Sequence, residues 1–110
     1  MLRVNDIRKE EIQKAGIMSE KIRDRFREFG FETKANSIPT DLGDIYEICC
    51  IYQRSIDLLV SSVNEVEDVI EILKSLRDDL YIHLTYHQKS LKKPLTKLLD
   101  SLTEDEGAGR

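Results

Sequence analysis

The stretch 42-LGDIYEICCIYQRSIDLLVSSVNEVEDVIEILKSLRDDLYIHLTYHQKSL-91 decides the fold class. Its apolar residues recur in alternating steps of three and four. They fall on Leu42, Ile45, Cys49, Tyr52, Ile56, Leu59, Val63, Val66, Ile70, Leu73, Arg77, Leu80, Leu84, His87 and Leu91, and only Arg77 and His87 are polar. No Gly or Pro lies between Gly43 and Pro94. This spacing marks helices packed on helices. The expected fold is all-α, a three- to four-helix bundle built on a long helical hairpin. The alternative is an extended coiled-coil rod.

Hairpin and rod differ at one place. Ser61-Ser62-Val63-Asn64-Glu65 is the weak spot in the periodic run, where Ser62 with Glu65, or Asn64 with Glu67, fits the capping box that starts a helix. The apolar beat crosses it without a slip, as a rod would require. One helix of that length would measure about 75 Å at 1.5 Å per residue. The apolar faces are also wide. Ile48, Ile51 and Leu58 lie beside the main stripe before the weak spot, and Val69, Ile72 and Leu76 after it. Helices with such faces need cover on more than one side, which favours a hairpin in a bundle.

Outward from this core, the spacing predicts a first helix over residues 5–29, with Asn5 or Asp6 as N-cap. Ala15, Met18, Ile22, Phe26 and Phe29 form its apolar line. Ile7 and Ile12 stand off that line, so the first turns are expected to bend. Gly16 marks a kink or a close approach by another helix, at a cost of about 1 kcal/mol against Ala. Gly30 falls where a left-handed C′ residue ends a helix, which places Phe31 against Phe26 in a Schellman motif. Ser37, Pro39, Thr40 and Asp41 announce the next helix, with Thr40 or Asp41 as its cap. That helix is expected over 42–60, a third over 65–89, and a short last one over 94–102. Residues 1–102 are read as a single helical domain and 103–110 as a disordered acidic tail.

Composition bounds the function. The 110 residues suit one domain. The net charge of -4 argues against bulk attraction to nucleic acid or an acidic membrane. The charge is uneven. Residues 41–88 hold three Lys/Arg against ten Asp/Glu, while 89–97 hold Lys89, Lys92, Lys93 and Lys97 and no acid. The lysines are explained by the C-terminal end of the third helix, where the macrodipole favours cations. They leave open a contact with nucleic acid. Cys49 and Cys50 are adjacent and form no disulfide framework. With no long uncharged apolar run, the chain is expected to be soluble and cytoplasmic, with no membrane partner.

Two arrangements could carry chemistry. Asp79, His83 and His87 step by four along one helical face, a spacing that lets two imidazoles chelate a divalent metal. Arg77-Asp78-x-x-x-x-His83 resembles the Arg/His motif of the HEPN helical ribonucleases. That resemblance implies Arg77 steadying a phosphate and His83 acting as acid or base. Each has a plainer reading: histidines at the core edge, and Arg77 paired with an acid across a seam. Cys49, on the stripe, is read as a buried small hydrophobe. The chain shows no phosphate loop and no nucleophile elbow.

The expected function is therefore a non-enzymatic protein–protein interaction module, an adaptor, scaffold or small regulatory subunit. It is expected to self-associate as a homodimer through helices two and three. The interface residues expected are Ile48, Tyr52, Ile70, Leu73, Leu80 and Leu84, with Tyr52, Tyr81 and Tyr86 as aromatic anchors. No catalytic residue, metal or cofactor is expected. The alternative is a ribonuclease-like or metal-dependent enzyme using Arg77, His83 and His87.

Overall fold

The computed structural model describes residues 3–31, 37–61 and 63–108, with side chains through residue 103. Among these the chain is helical and has no strand. α1 spans Val4–Glu11, α2 Lys14–Glu28, α3 Ile38–Ser61, α4 Val66–Lys74 and α5 Ile82–Ala108. A π-helical segment, Ser75–Tyr81, joins α4 to α5 without a break. The result is an all-α bundle of three packed rods: α1 with α2, then α3, then α4 through α5.

The chain folds back at the weak spot. α3 ends at Ser61, Val63 and Asn64 are non-helical, and Glu65 caps α4 with extended backbone (φ -107°, ψ 138°). The Glu65 carbonyl accepts from the N–H groups of Asp68 and Val69. Glu65 thus takes the cap role expected of Ser62 or Asn64, and Ser62 itself lies outside the described residues. The hairpin is long. The molecule measures 63 × 21 × 18 Å with a radius of gyration of 17.9 Å, against about 13 Å for a compact domain of this length.

The first helix is two. Arg3 is the N-cap, its N–H donating to Asp6 Oδ2 at 3.0 Å, so Asp6 caps from the third helical position. The rod breaks at Ile12 and Gln13, three to four residues before Gly16. Of the two residues off the expected line, Ile7 is buried on α1 together with Val4, whereas Ile12 at the break is exposed. Gly16 has open space around it. The close approach belongs to Gly43 on α3, where a Cβ would overlap Ser19 Oγ and the Ala15 carbonyl oxygen of α2. The other end follows expectation. Gly30 has φ 75°, Phe31 N–H donates to the Phe26 carbonyl at 2.7 Å, and the Phe26 and Phe31 rings meet edge-on at 6.1 Å. Phe29 faces outward instead of joining the apolar line. The connector at 32–36 lies outside the described residues.

α3 begins at Ile38, with the Ser37 carbonyl accepting from Asp41 N–H. Thr40 and Asp41 are therefore inside the first turn, not caps. Pro94 lies inside α5 rather than opening a helix of its own. A proline there removes a backbone donor and costs about 3 kcal/mol. Leu91, Leu95 and Leu98, packed with Ile38 and Phe26, hold the two sides of the proline in line. α5 then continues past Leu102 to Ala108, so the backbone of 103–108 is helical where a disordered tail was expected; residues 109 and 110 lie outside the described residues.

Two clusters make the core. Val4, Ile7, Ile48, Ile51, Leu58, Ile72 and Leu80 form the first, with Tyr52, Leu59, Val63, Leu76 and Leu84 against it. Ile38, Leu91 and Leu98 form the second, with Phe26, Leu42, Ile45, Leu95 and Leu102. The expected stripe is half right. Ile45, Tyr52 and Leu59 pack inward, whereas Cys49 and Ile56 are exposed. Ile48 and Ser55, one residue earlier in each case, take the buried places. On the other rod the core runs Ile72, Leu76, Leu80, Leu84 in steps of four. Such steps drift around an α-helix, and the wider i→i+5 turn of the π segment cancels the drift. Ile70, Leu73 and Arg77 are left outside.

Candidate functional site

Between the two apolar clusters lies a polar layer. Asp41 comes from the first turn of α3, and His87 and Ser90 from successive turns of α5. A buried carboxylate is costly unless it is hydrogen-bonded. Asp41 is satisfied on both oxygens: His87 Nδ1–H donates to Oδ1 at 3.0 Å, and the Ser90 hydroxyl donates to Oδ2 at 3.2 Å. Its place near the positive end of the helix dipole adds to this.

Because the carboxylate can only accept, the bond to Asp41 assigns the proton to Nδ1 of His87. The lone pair of neutral His87 is then on Nε2, and His83 Nε2–H donates to it at 2.9 Å. Asp44 Oδ2 lies 3.5 Å from the same Nε2. The imidazoles are tilted with centroids 4.7 Å apart, and the Tyr86 ring stands edge-on 5.1 Å from His87. Partial burial, and then the charge of a protonated His87, hold the His83 pKa below the usual histidine value, while Asp44 and Glu47 pull the other way. His83 also rims a cleft of about 240 Å³ floored by Ile48, Ile51 and Leu80, with Arg8 and Glu47 at its mouth.

The expected trio of Asp79, His83 and His87 is not assembled. Asp79 faces α1, with its Oδ2 3.8 Å from the Arg8 guanidinium, and its place beside the histidines is taken by Asp44. Among the described residues no three of His, Cys, Asp and Glu close around one point as a metal cage. Arg77 does not join His83. It is exposed and forms a two-pronged pair with its neighbour Asp78, which raises the arginine pKa and lowers that of the aspartate. Nor does Arg77 cross a seam to a facing acid. Cys49 and Cys50 are free thiols, and Cys49 is exposed rather than buried. The lysines at 89, 92, 93 and 97 are exposed along the middle of α5. Because that helix does not end at Lys89, a helix terminus does not account for them.

The six expected interface residues divide into three pairs. Ile48 and Leu80 are 1 % exposed and lie in the first core cluster, where they present no surface. Tyr52 and Leu84 are half-buried at its edge. Ile70 and Leu73 remain open, at 45 % and 49 %. With them stand Val66 on α4 and Ile56 and Val60 on α3, all exposed. Val66, Ile70 and Leu73 step by four and three along one face of α4, and Ile56 and Val60 by four on α3. Tyr81 and Tyr86 are exposed, so two of the three expected aromatic anchors are accessible.

Sequence reasoning missed the cluster made by Asp41, Asp44 and Ser90. One signal was present: Asp41 precedes Ile45 and Ile48 by four and seven residues, a helical spacing that turns it inward. A second ionic group was also missed. Glu11, buried on α1, is held by Lys14 and Arg54, whose hydrogen bonds lower its pKa. Arg54 also reaches Glu10, tying α1 to α3.

No helix among the described residues is long and apolar enough to cross a membrane. No family model, no curated protein and no solved structure matches the chain. The fold and site define a three-rod helical-hairpin bundle with a buried Asp41–His87 bond between its core clusters and exposed apolar residues on the two helices that flank the turn.

Proposed function

We propose that this protein is a non-enzymatic interaction module that self-associates through the flank of its hairpin tip. The observation that supports this is the exposed apolar set Ile56, Val60, Val66, Ile70 and Leu73, on the two helices that meet at the turn. Scattered apolar residues on a surface are ordinary. Val66, Ile70 and Leu73 share one face of α4, and Ile56 and Val60 one face of α3, and exposed helix faces of this kind are what helix pairs bury against one another. A second copy offers the matching surface, because two hairpins related by a two-fold axis form a four-helix contact. The half-buried Tyr52 and Leu84 border the core rather than these faces and serve the fold.

Light scattering with size-exclusion chromatography tests the reading. At a few hundred micromolar the chain elutes at twice its monomer mass. The double variant Ile70→Glu, Leu73→Glu elutes as a monomer with unchanged helix content. Wild-type protein that stays monomeric at that concentration overturns the proposal.

A further inference from the structure

The geometry points to a divalent transition-metal site clamped by Nε2 of His83 and Nε2 of His87, and we propose that it takes an ion of the Ni²⁺ or Zn²⁺ class. Three observations carry it. The first is the separation. The two nitrogens lie 2.9 Å apart. Two imidazole nitrogens bound at about 2.1 Å lie about 3.0 Å apart at a right angle, and about 3.4 Å apart at the tetrahedral angle. The pair is thus already set for cis coordination, and a tetrahedral ion needs only a few tenths of an ångström of spreading.

The second observation is the support behind the ligand. A metal-binding histidine commonly donates its other ring N–H to a carboxylate, which fixes the tautomer and makes the free nitrogen more basic. His87 has this arrangement through Nδ1–H to Asp41 Oδ1 at 3.0 Å, and Ser90 holds the other oxygen of the carboxylate. Asp41 is buried and locked, so the lone pair on His87 Nε2 is aimed before any ion arrives. A bound ion would replace the His83 Nε2–H donor, and His83 would carry its proton on Nδ1 instead.

The third is the local charge. Asp41, Asp44 and Glu47 of α3 face the two histidines, while Arg8 of α1 opposes them at His83. This balance favours a cation over an anion at the two nitrogens. The chain supplies two nitrogens and no closed cage, so water fills the remaining positions. Asp44 Oδ2, 3.5 Å from His87 Nε2, is placed to accept a hydrogen bond from one such water. Nitrogen donors select ions of the Ni²⁺, Cu²⁺ and Zn²⁺ group over Mg²⁺ and Ca²⁺. The site is separate from the tip flank, so it stands or falls independently of the proposed self-association.

The test is calorimetric titration of the full chain with Ni²⁺ and with Zn²⁺ at pH 7.5. It uses a Cys49→Ser, Cys50→Ser background, because an exposed thiol binds both ions. One ion per chain binds with micromolar affinity, the melting temperature rises by several degrees, Ni²⁺ quenches the Tyr86 emission, and Mg²⁺ is silent. His83→Ala keeps the Asp41–His87 bond, and therefore the fold, yet lowers the affinity at least tenfold. Asp44→Asn lowers it less. Absence of binding by either ion, or binding that survives His83→Ala, overturns the assignment.

Discussion

The two ends of the hairpin solve the same packing problem differently. At the tip end, α1 lies on α3 and α4, and the first cluster is apolar: Val4, Ile7, Ile51, Leu58 and Ile72 pack together. At the other end α2 replaces α1. There Ile38, Leu91 and Leu98 are the buried members, half-buried side chains surround them, and the polar layer of Asp41, His87 and Ser90 borders them. The first cluster contributes through apolar area removed from water. The polar end adds hydrogen bonds whose partners must all be present, since each unmet buried group is a penalty. Apolar burial is non-directional, whereas a hydrogen bond between buried side chains favours one alignment of α3 against α5. The Asp41–His87 bond fixes which residues of the two helices stand opposite each other.

This difference can be broken from both sides by urea unfolding. Leu80→Ala, in the apolar cluster, is expected to cost about 2–5 kcal/mol, because a buried leucine leaves a cavity. Asp41→Ala should cost about 1–3 kcal/mol, from the buried His87 donor left without its acceptor. If Asp41→Ala proves neutral, the polar layer is not what aligns the helices. A smaller effect sharpens the contrast. The His83 pKa is lowered on folding from 6.5, so below that value the unfolded chain binds more protons than the native one. The contribution of His83 is complete above pH 6.5 and is lost as the pH falls from there toward its native pKa. Unfolding curves recorded across that window should show a fall in stability that His83→Gln reduces. An unchanged slope in the variant would assign the effect elsewhere.

The class of fold was legible because apolar spacing encodes it directly. The Schellman end at Gly30 and Phe31 was legible because only local geometry is involved. The turn near residue 64 was legible as a break, but its cap moved to Glu65, since the extended backbone and carbonyl of that residue serve without a side-chain oxygen. The buried face of α3 was misread for a physical reason. Its true seam includes Asp41 and Ser55, polar residues that an apolar pattern excludes. Ser55 is tolerated because its hydroxyl donates to the Ile51 carbonyl at 2.7 Å, and Asp41 because His87 and Ser90 reach it. Neither partner is visible before the fold exists. The π segment hid the other error, since a seven-residue wide turn changes phase without any Gly or Pro to announce it. The histidine spacing was read correctly, but the acid beside the pair comes from α3 rather than from the same helix.

The most direct test of this seam is thiol reactivity. Ile48 lies inside and its neighbour Cys49 outside. In a Cys50→Ser chain, diluted until light scattering gives the monomer mass, Cys49 should react with a disulfide reagent at a rate close to that of the urea-unfolded chain. Protection of Cys49 until the chain unfolds would put it in the core and contradict the packing described above.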